Sequence, residues 1–276
     1  MFCASLGIGF AAAGIVFFFA YNWAAIHKFV KFGIIEGAII IVAGLILATK
    51  FNLLIKNILL TFLAILVGVM FAVFGQVYQT GANAYDFFLG WTLCITLWVV
   101  ISNFAPLWLL YLLLVNTTFL LYFQQEASGW SYIFAYSCLF YFNTITVIAA
   151  IWISEQKEEG FVSSWLVKLM TLASLAFSIL VITLGIFDGP ETFWYITLLV
   201  STIVYGLGIW YGLTSQTGFY IAVIAFSVIT IIASFLIDLL NDEAAALFLL
   251  VSLFVIGSVS VVIKVLLNLQ KKWSYE

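Results

Sequence analysis

Arginine is missing from this chain: all nine basic residues are lysine, against twelve acids, for a net charge of -3. A nucleic-acid surface or a bidentate phosphate clamp relies on the planar guanidinium fork. Both are therefore poor readings, and no nucleic-acid partner is expected. Charge of either sign is scarce, at 8% of 276 residues, roughly a third of the share in a soluble domain. The three cysteines, Cys3, Cys94 and Cys138, show no C-x-x-C spacing and fall in or beside apolar runs. They read as small buried hydrophobes, not as a disulfide framework or zinc site. Catalytic signatures are missing too: there is no H-E-x-x-H, G-x-S-x-G or P-loop. Paired carboxylates within one apolar run, as an intramembrane aspartyl protease needs, do not occur either. No catalytic residue, cofactor or metal is implied. Met1 leads into an apolar run with no basic n-region and no small-residue cleavage site, so a removable signal peptide is not expected.

What the chain has in abundance is apolar surface. Hydrophobic residues make up 66% and mean hydropathy is +1.25, more than a water-facing fold can cover. The expected class is an all-α, polytopic membrane bundle, with the lipid bilayer as its first partner. A span of about 20 apolar residues divides the chain into ten, treated as one transmembrane domain over 1–276. The expected spans are Ala4–Tyr21, Phe32–Thr49, Ile58–Phe74, Phe87–Ser102, Leu107–Phe123, Tyr132–Ile153, Trp165–Phe187, Phe193–Leu213, Phe219–Leu240 and Ala244–Leu267. Only Asn103–Pro106 separates the fourth from the fifth, which suggests a tight hairpin.

Lysine placement sets the expected orientation. The even-numbered connections and the C-terminal end hold Lys50, Lys56, Lys157, Lys168, Lys264, Lys271 and Lys272, while the odd ones hold only Lys28 and Lys31. That bias puts both termini in the cytoplasm and the third connection outside. Between the first two spans, His27, Lys28 and Lys31 share one helical face and Ile26, Phe29 and Val30 another. The segment reads as an interfacial amphipathic turn anchored by Asn22 and Trp23.

The third connection, GQVYQTGANAYD over residues 75–86, is the most informative stretch. Two spans and twelve polar-rich residues do not fit comfortably between Asn57 and Asn103, so part of the stretch is expected below the headgroups. Polar groups at that depth face protein or a water-filled cavity. Gln76, Gln79, Thr80 and Asn83 stand at i, i+3, i+4 and i+7, one face of a helical or broken-helical segment. Val77, Tyr78, Ala82 and Tyr85 cover much of the rest, and Gly75 and Gly81 supply freedom for a break. The expected ligand-binding residues are Gln76, Tyr78, Gln79, Thr80, Asn83, Tyr85 and Asp86. The plain alternative is helix–helix glue through interhelical hydrogen bonds.

Asn22–Trp23 after the first span, followed by GQVYQTGA at Gly75–Ala82 ahead of an aromatic-rich span, resembles an uncharacterised bacterial family of predicted membrane proteins. The resemblance covers roughly the first 110 residues, with generic spans over 111–276. It implies a bacterial inner-membrane protein with no activity assigned. Family members usually carry a short cytosolic segment before the first span; this chain starts abruptly at that span, as though that segment were missing.

Elsewhere, Glu36 near the start of the second span is a candidate for proton coupling, unless it snorkels or pairs with Lys31 or Lys28. Asn116, Thr117 and Thr118, and Asn143, Thr144 and Thr146, lie mid-span and are expected to hydrogen-bond across helices. Gly208-x-x-x-Gly212 is expected to allow close packing. D-G-P at Asp188–Pro190 reads as a turn, and Asp238 as part of a solvated cap. Three functional readings follow. The first is a transporter or flippase-like binder of a small polar or amphipathic molecule, since neutral amides, hydroxyls and tyrosines suit such a headgroup. The second is an accessory protein whose polar stripe is glue. The third is a membrane-embedded transferase using Asp86 with a metal. The sequence is silent on oligomerisation.

Overall fold

Hydrocarbon offers no water to backbone N–H and C=O groups, so each apolar run closes its own hydrogen bonds as a helix. The computed structural model describes residues 27–78, 81–156, 162–239 and 244–274, with a few isolated residues before them. Nine helices form among the described residues: α1 Lys28–Ala48, α2 Leu53–Tyr78, α3 Ala84–Ser102, α4 Ala105–Gln125, α5 Tyr132–Gln156, α6 Ser164–Phe187, α7 Thr192–Thr214, α8 Gly218–Leu239 and α9 Ala244–Trp273. Each is long and apolar enough to cross a bilayer. They fall on nine of the ten expected spans. Most of the first span, with the anchors Asn22 and Trp23, lies outside the described residues.

Short links turn the chain. α3 ends on Asn103 at φ 43, a left-handed conformation that asparagine tolerates better than most residues. Phe104 is extended and Pro106 stands at the start of α4, where a missing N–H costs nothing. The expected hairpin is therefore present. Asp188 and Gly189, at φ 97, turn α6 into α7.

The chain divides into two compact units, Met1–Ser128 and Gly129–Glu276. In the first, α2 packs against α1, α3 and α4, and α3 lies along α4. Ala64, Val67, Ile95, Val99, Leu107 and Leu114 form the core between α2, α3 and α4. In the second, α6 is the hub, touching α5, α7 and α8, while α9 packs on α8.

A glycine under a tryptophan joins helices in each unit. The Trp91 indole of α3 donates to the Ala64 carbonyl of α2 at 2.7 Å, and a Cβ on Gly68 would sit 2.4 Å from its ring. In the second unit the Trp194 indole of α7 donates to the Ile182 carbonyl of α6 at 3.0 Å. A Cβ on Gly185 would lie 1.9 Å from that ring. In both cases a bare glycine lets a flat ring lie on the helix and reach a carbonyl. Gly208 and Gly212 serve α7 against α8 similarly, their missing Cβ positions lying 2.5 Å from Ile224 and 2.9 Å from Ile221. Gly206 faces open space.

Hydroxyls supply further links in the second unit. Thr197 donates to Ser137 at 2.8 Å and meets the Tyr141 hydroxyl at 2.8 Å. Thr144 meets Ser174 at 2.7 Å, and Ser178 meets Tyr205 at 2.6 Å. Thr144 thus bonds across helices as expected. Asn116, Thr118, Asn143 and Thr146 each donate to a backbone carbonyl of their own helix. A carbonyl three or four residues back is within reach of a short side chain whatever its neighbours are.

Two further expectations are corrected. Lys31, placed on a polar face, is 7% exposed, whereas Phe29 and Val30 are 66% and 52% exposed. The segment is the first turn of α1, and α2 covers the side on which Phe32 meets Phe74 and Tyr78. Cys94, expected to be buried, is exposed on α3, and Cys138 is half-buried.

Gly185→Ala should destabilise the protein by about 1–3 kcal/mol, because the added methyl displaces a rigid ring. Gly206→Ala, with room and a better helix propensity, should leave stability unchanged or raise it by up to ~1 kcal/mol. Thermal-shift midpoints of the two variants in detergent check the contrast. Thr197→Val should cost about 1–2 kcal/mol through two lost links. Thr202→Val should cost nothing measurable, because that exposed hydroxyl bonds only the Leu198 carbonyl of its own helix. The same assay reads both.

Candidate functional site

The conspicuous stretch straddles a helix break. α2 carries the chain through Tyr78, and α3 restarts at Ala84. Gln79 and Thr80 lie outside the described residues. Gly81 adopts φ 65, where any side chain would be strained, and Asn83 is extended as the N-cap of α3. Gln76 and Asn83 therefore belong to different helices. The stretch is thus the link between two bilayer-length helices, and Gln76 and Asn83 do not form one continuous helical stripe. With 26 residues, α2 is about 39 Å long, against a hydrocarbon core of about 30 Å. The last turn of α2, with Gln76 and Tyr78, can thus reach the headgroup level without a polar group buried in lipid.

The second half of the stretch is fastened to α4. The Asp86 carboxylate accepts the Asn83 backbone N–H at 3.2 Å, one arm of a capping box. The Asn83 side-chain amide donates to the Glu126 carboxylate. Gln125 Oε1 accepts the Tyr85 backbone N–H at 3.1 Å, and the Tyr85 ring stands edge-on to Tyr122 at 5.3 Å. Asp86 and Glu126 are thereby at one end of the unit, as the span order requires. Gln125 and Glu126 were not anticipated as site residues. Their signal was the polar run Gln124–Glu126 at the close of an apolar span.

Between these elements lies an open cavity of 580 Å³. Gln76, Asn83 and Asp86 supply its polar side chains, and Phe71, Phe74 and Phe87 much of its apolar wall. Phe71 and Phe87 meet edge-to-face at 6.2 Å, and Gly90 lets the Phe71 ring lie against α3, a Cβ there falling 2.9 Å from it. Gly75 and Gly81 line the cavity with nothing within 4 Å of their Cβ positions, so backbone is open to whatever fills it.

The remaining expected residues divide. Tyr78 packs on Phe74 at 4.8 Å and Phe32 at 5.8 Å, and Tyr85 on Tyr122; neither lines the cavity. Glu36 is exposed on α1 and also stands apart from it. The structure thus brings Gln76, Asn83 and Asp86 together, and to them a neutral polar group can be presented. The cavity has no lysine, one carboxylate already engaged in capping, and two amides offering both donors and acceptors.

No curated protein and no solved structure matches the chain. The family model described as Predicted membrane protein (DUF2157) matches residues 1–108. The matched part carries the GQVYQTGA stretch and the first three described helices, and the match agrees with the resemblance to an uncharacterised membrane-protein family read from those residues.

Proposed function

We propose that the chain is a transporter or flippase-like binder in a bacterial inner membrane, receiving the headgroup of a small polar or amphipathic molecule in the cavity between α2 and α3. The observation that supports it is the meeting of Gln76, Asn83 and Asp86 across the link from α2 to α3, around exposed glycine backbone, at a bundle end. The link between two spans leaves backbone and polar side chains exposed at the bundle end, where a headgroup can meet them. Amides beside three phenylalanines suit a neutral hydroxyl-rich headgroup with an apolar neighbour, such as a polyol or a sugar-like lipid head. With the lysine bias read as positive-inside, the termini are cytoplasmic and the cavity opens outward. Glu36 is then the carboxylate within the spans best placed for proton coupling, with Asp86 held in its cap.

A second reading rests on specific bonds. Asn83–Glu126, Tyr85–Gln125 and the Asp86 cap are structural ties, as an accessory protein with polar glue would have. Gln76 separates the two readings, because among the described residues its amide makes no hydrogen bond, while it lines the cavity.

Cysteine labelling in intact cells tests the proposal. In a background with Cys3, Cys94 and Cys138 replaced, Gln76→Cys and Asn83→Cys should react with a membrane-impermeant maleimide, whereas Ala64→Cys, wholly buried in the core, should not. A folded protein unreactive at both cavity positions overturns the outward-opening site. Once a substrate is found, Gln76→Leu should leave stability within about 0.5 kcal/mol and reduce uptake at least tenfold. Glu36→Gln should remove the pH dependence of uptake, and an unchanged pH profile excludes it as the coupling group.

A further inference from the structure

The second unit holds a cavity that the reading above does not use. It measures 320 Å³ and lies among α5, α6, α7 and α8. Its walls are mostly aliphatic and aromatic, and its chemistry is confined to two places. At one end Thr144 and Ser174 pair at 2.7 Å. At the other, eleven residues and about 16 Å along α5, stand Glu155 and the rings of Trp152, Trp210, Tyr211 and Tyr220. Tyr211 and Tyr220 meet edge-to-face at 5.2 Å.

Among the described residues, Glu155 is the one charged residue lining the cavity. Lys168 is on the neighbouring helix, but its ammonium stands over the Phe219 ring at 5.7 Å and does not line the space. A carboxylate beside four electron-rich rings at the mouth of an apolar cleft presents negative potential from both the charge and the ring faces. Glu155 is exposed near the end of α5, so a neutral guest gains nothing from its charge and an anion is repelled, whereas a cation is attracted. A cation with an apolar body satisfies carboxylate, rings and walls together.

We propose that this cavity is a binding site for a monovalent amphipathic cation, an onium or protonated amine on an apolar body. The charged head lies between Glu155 and the aromatic rings, and the body runs toward the Thr144–Ser174 pair. The site stands independently of the cavity in the first unit and takes the opposite chemistry: charged where that one is neutral, and lying between helices where that one sits at a link between two of them.

Binding of radiolabelled tetraphenylphosphonium to the full chain in zwitterionic nanodiscs, with empty discs subtracted, tests this. Tetraphenylborate, of the same shape and opposite charge, is the comparison. Wild type should bind the cation saturably and the anion not at all. Glu155→Gln should weaken cation binding at least tenfold while eluting as wild type, and Glu155→Asp should retain more binding than Glu155→Gln. Ile148→Trp, adding bulk at a lining position that is 56% exposed, should weaken binding with the charge intact. Equal binding of cation and anion would mark a cleft that takes any hydrophobic body and would overturn the proposal. So would cation binding unchanged in Glu155→Gln, or no saturable binding of the cation by wild type.

Discussion

Leucine gains nothing from leaving hydrocarbon for another leucine, so helices in a bilayer stay together only where they come closer to each other than to lipid. That constraint organises both units. Gly68 under Trp91 and Gly185 under Trp194 bring a flat ring onto a helix backbone and add one hydrogen bond to a main-chain carbonyl. The contact supplies dispersion over the whole indole face and satisfies a donor that would be costly in lipid. The hubs α2 and α6 are the helices that carry these glycines, and each touches three others in its unit. The hydroxyl links of the second unit work to the same end with smaller groups. Ser201, 1% exposed on the same face of α7 as Thr197 and Tyr205, is the one buried hydroxyl among the described residues with no partner.

Polarity in the first unit is concentrated where a helix ends. The start of any helix leaves N–H groups without intrahelical partners, and they must be satisfied locally. Asp86 and Asn83 do this for α3, and Gln125 and Glu126 brace the repaired end from α4. The link before α3 also opens the wall of the cavity. The residues that hold the start of α3 therefore adjoin those that line the cavity: Asn83 does both, and Gln76 only lines it.

Much of the fold was legible because spans are written in long composition runs, which the bilayer rewards regardless of tertiary detail. The hairpin at Asn103–Pro106 and the turn at Gly189 were legible for a local reason, since their residues state their own backbone conformation. What could not be read depends on partners distant in sequence. Trp91 reaches a carbonyl 27 residues away, and nothing near Gly68 marks it as different from Gly206. The i, i+3, i+4, i+7 spacing of Gln76 to Asn83 suggested one helical face, yet Gly81 between them breaks the helix; the glycine was the stronger signal. Glu155 drew no notice beside the acids that follow it, because the aromatic rings giving it a setting come from α5, α7 and α8.

The link between α3 and α4 is two residues long, Asn103 and Phe104, and spans at most about 7 Å. The chain therefore leaves α3 and enters α4 at the same level of the unit, and the two helices lie side by side as an antiparallel pair. An insertion that lengthened either helix would have to be taken up within that helix or by unwinding its end, because a link of this length has no slack to absorb it.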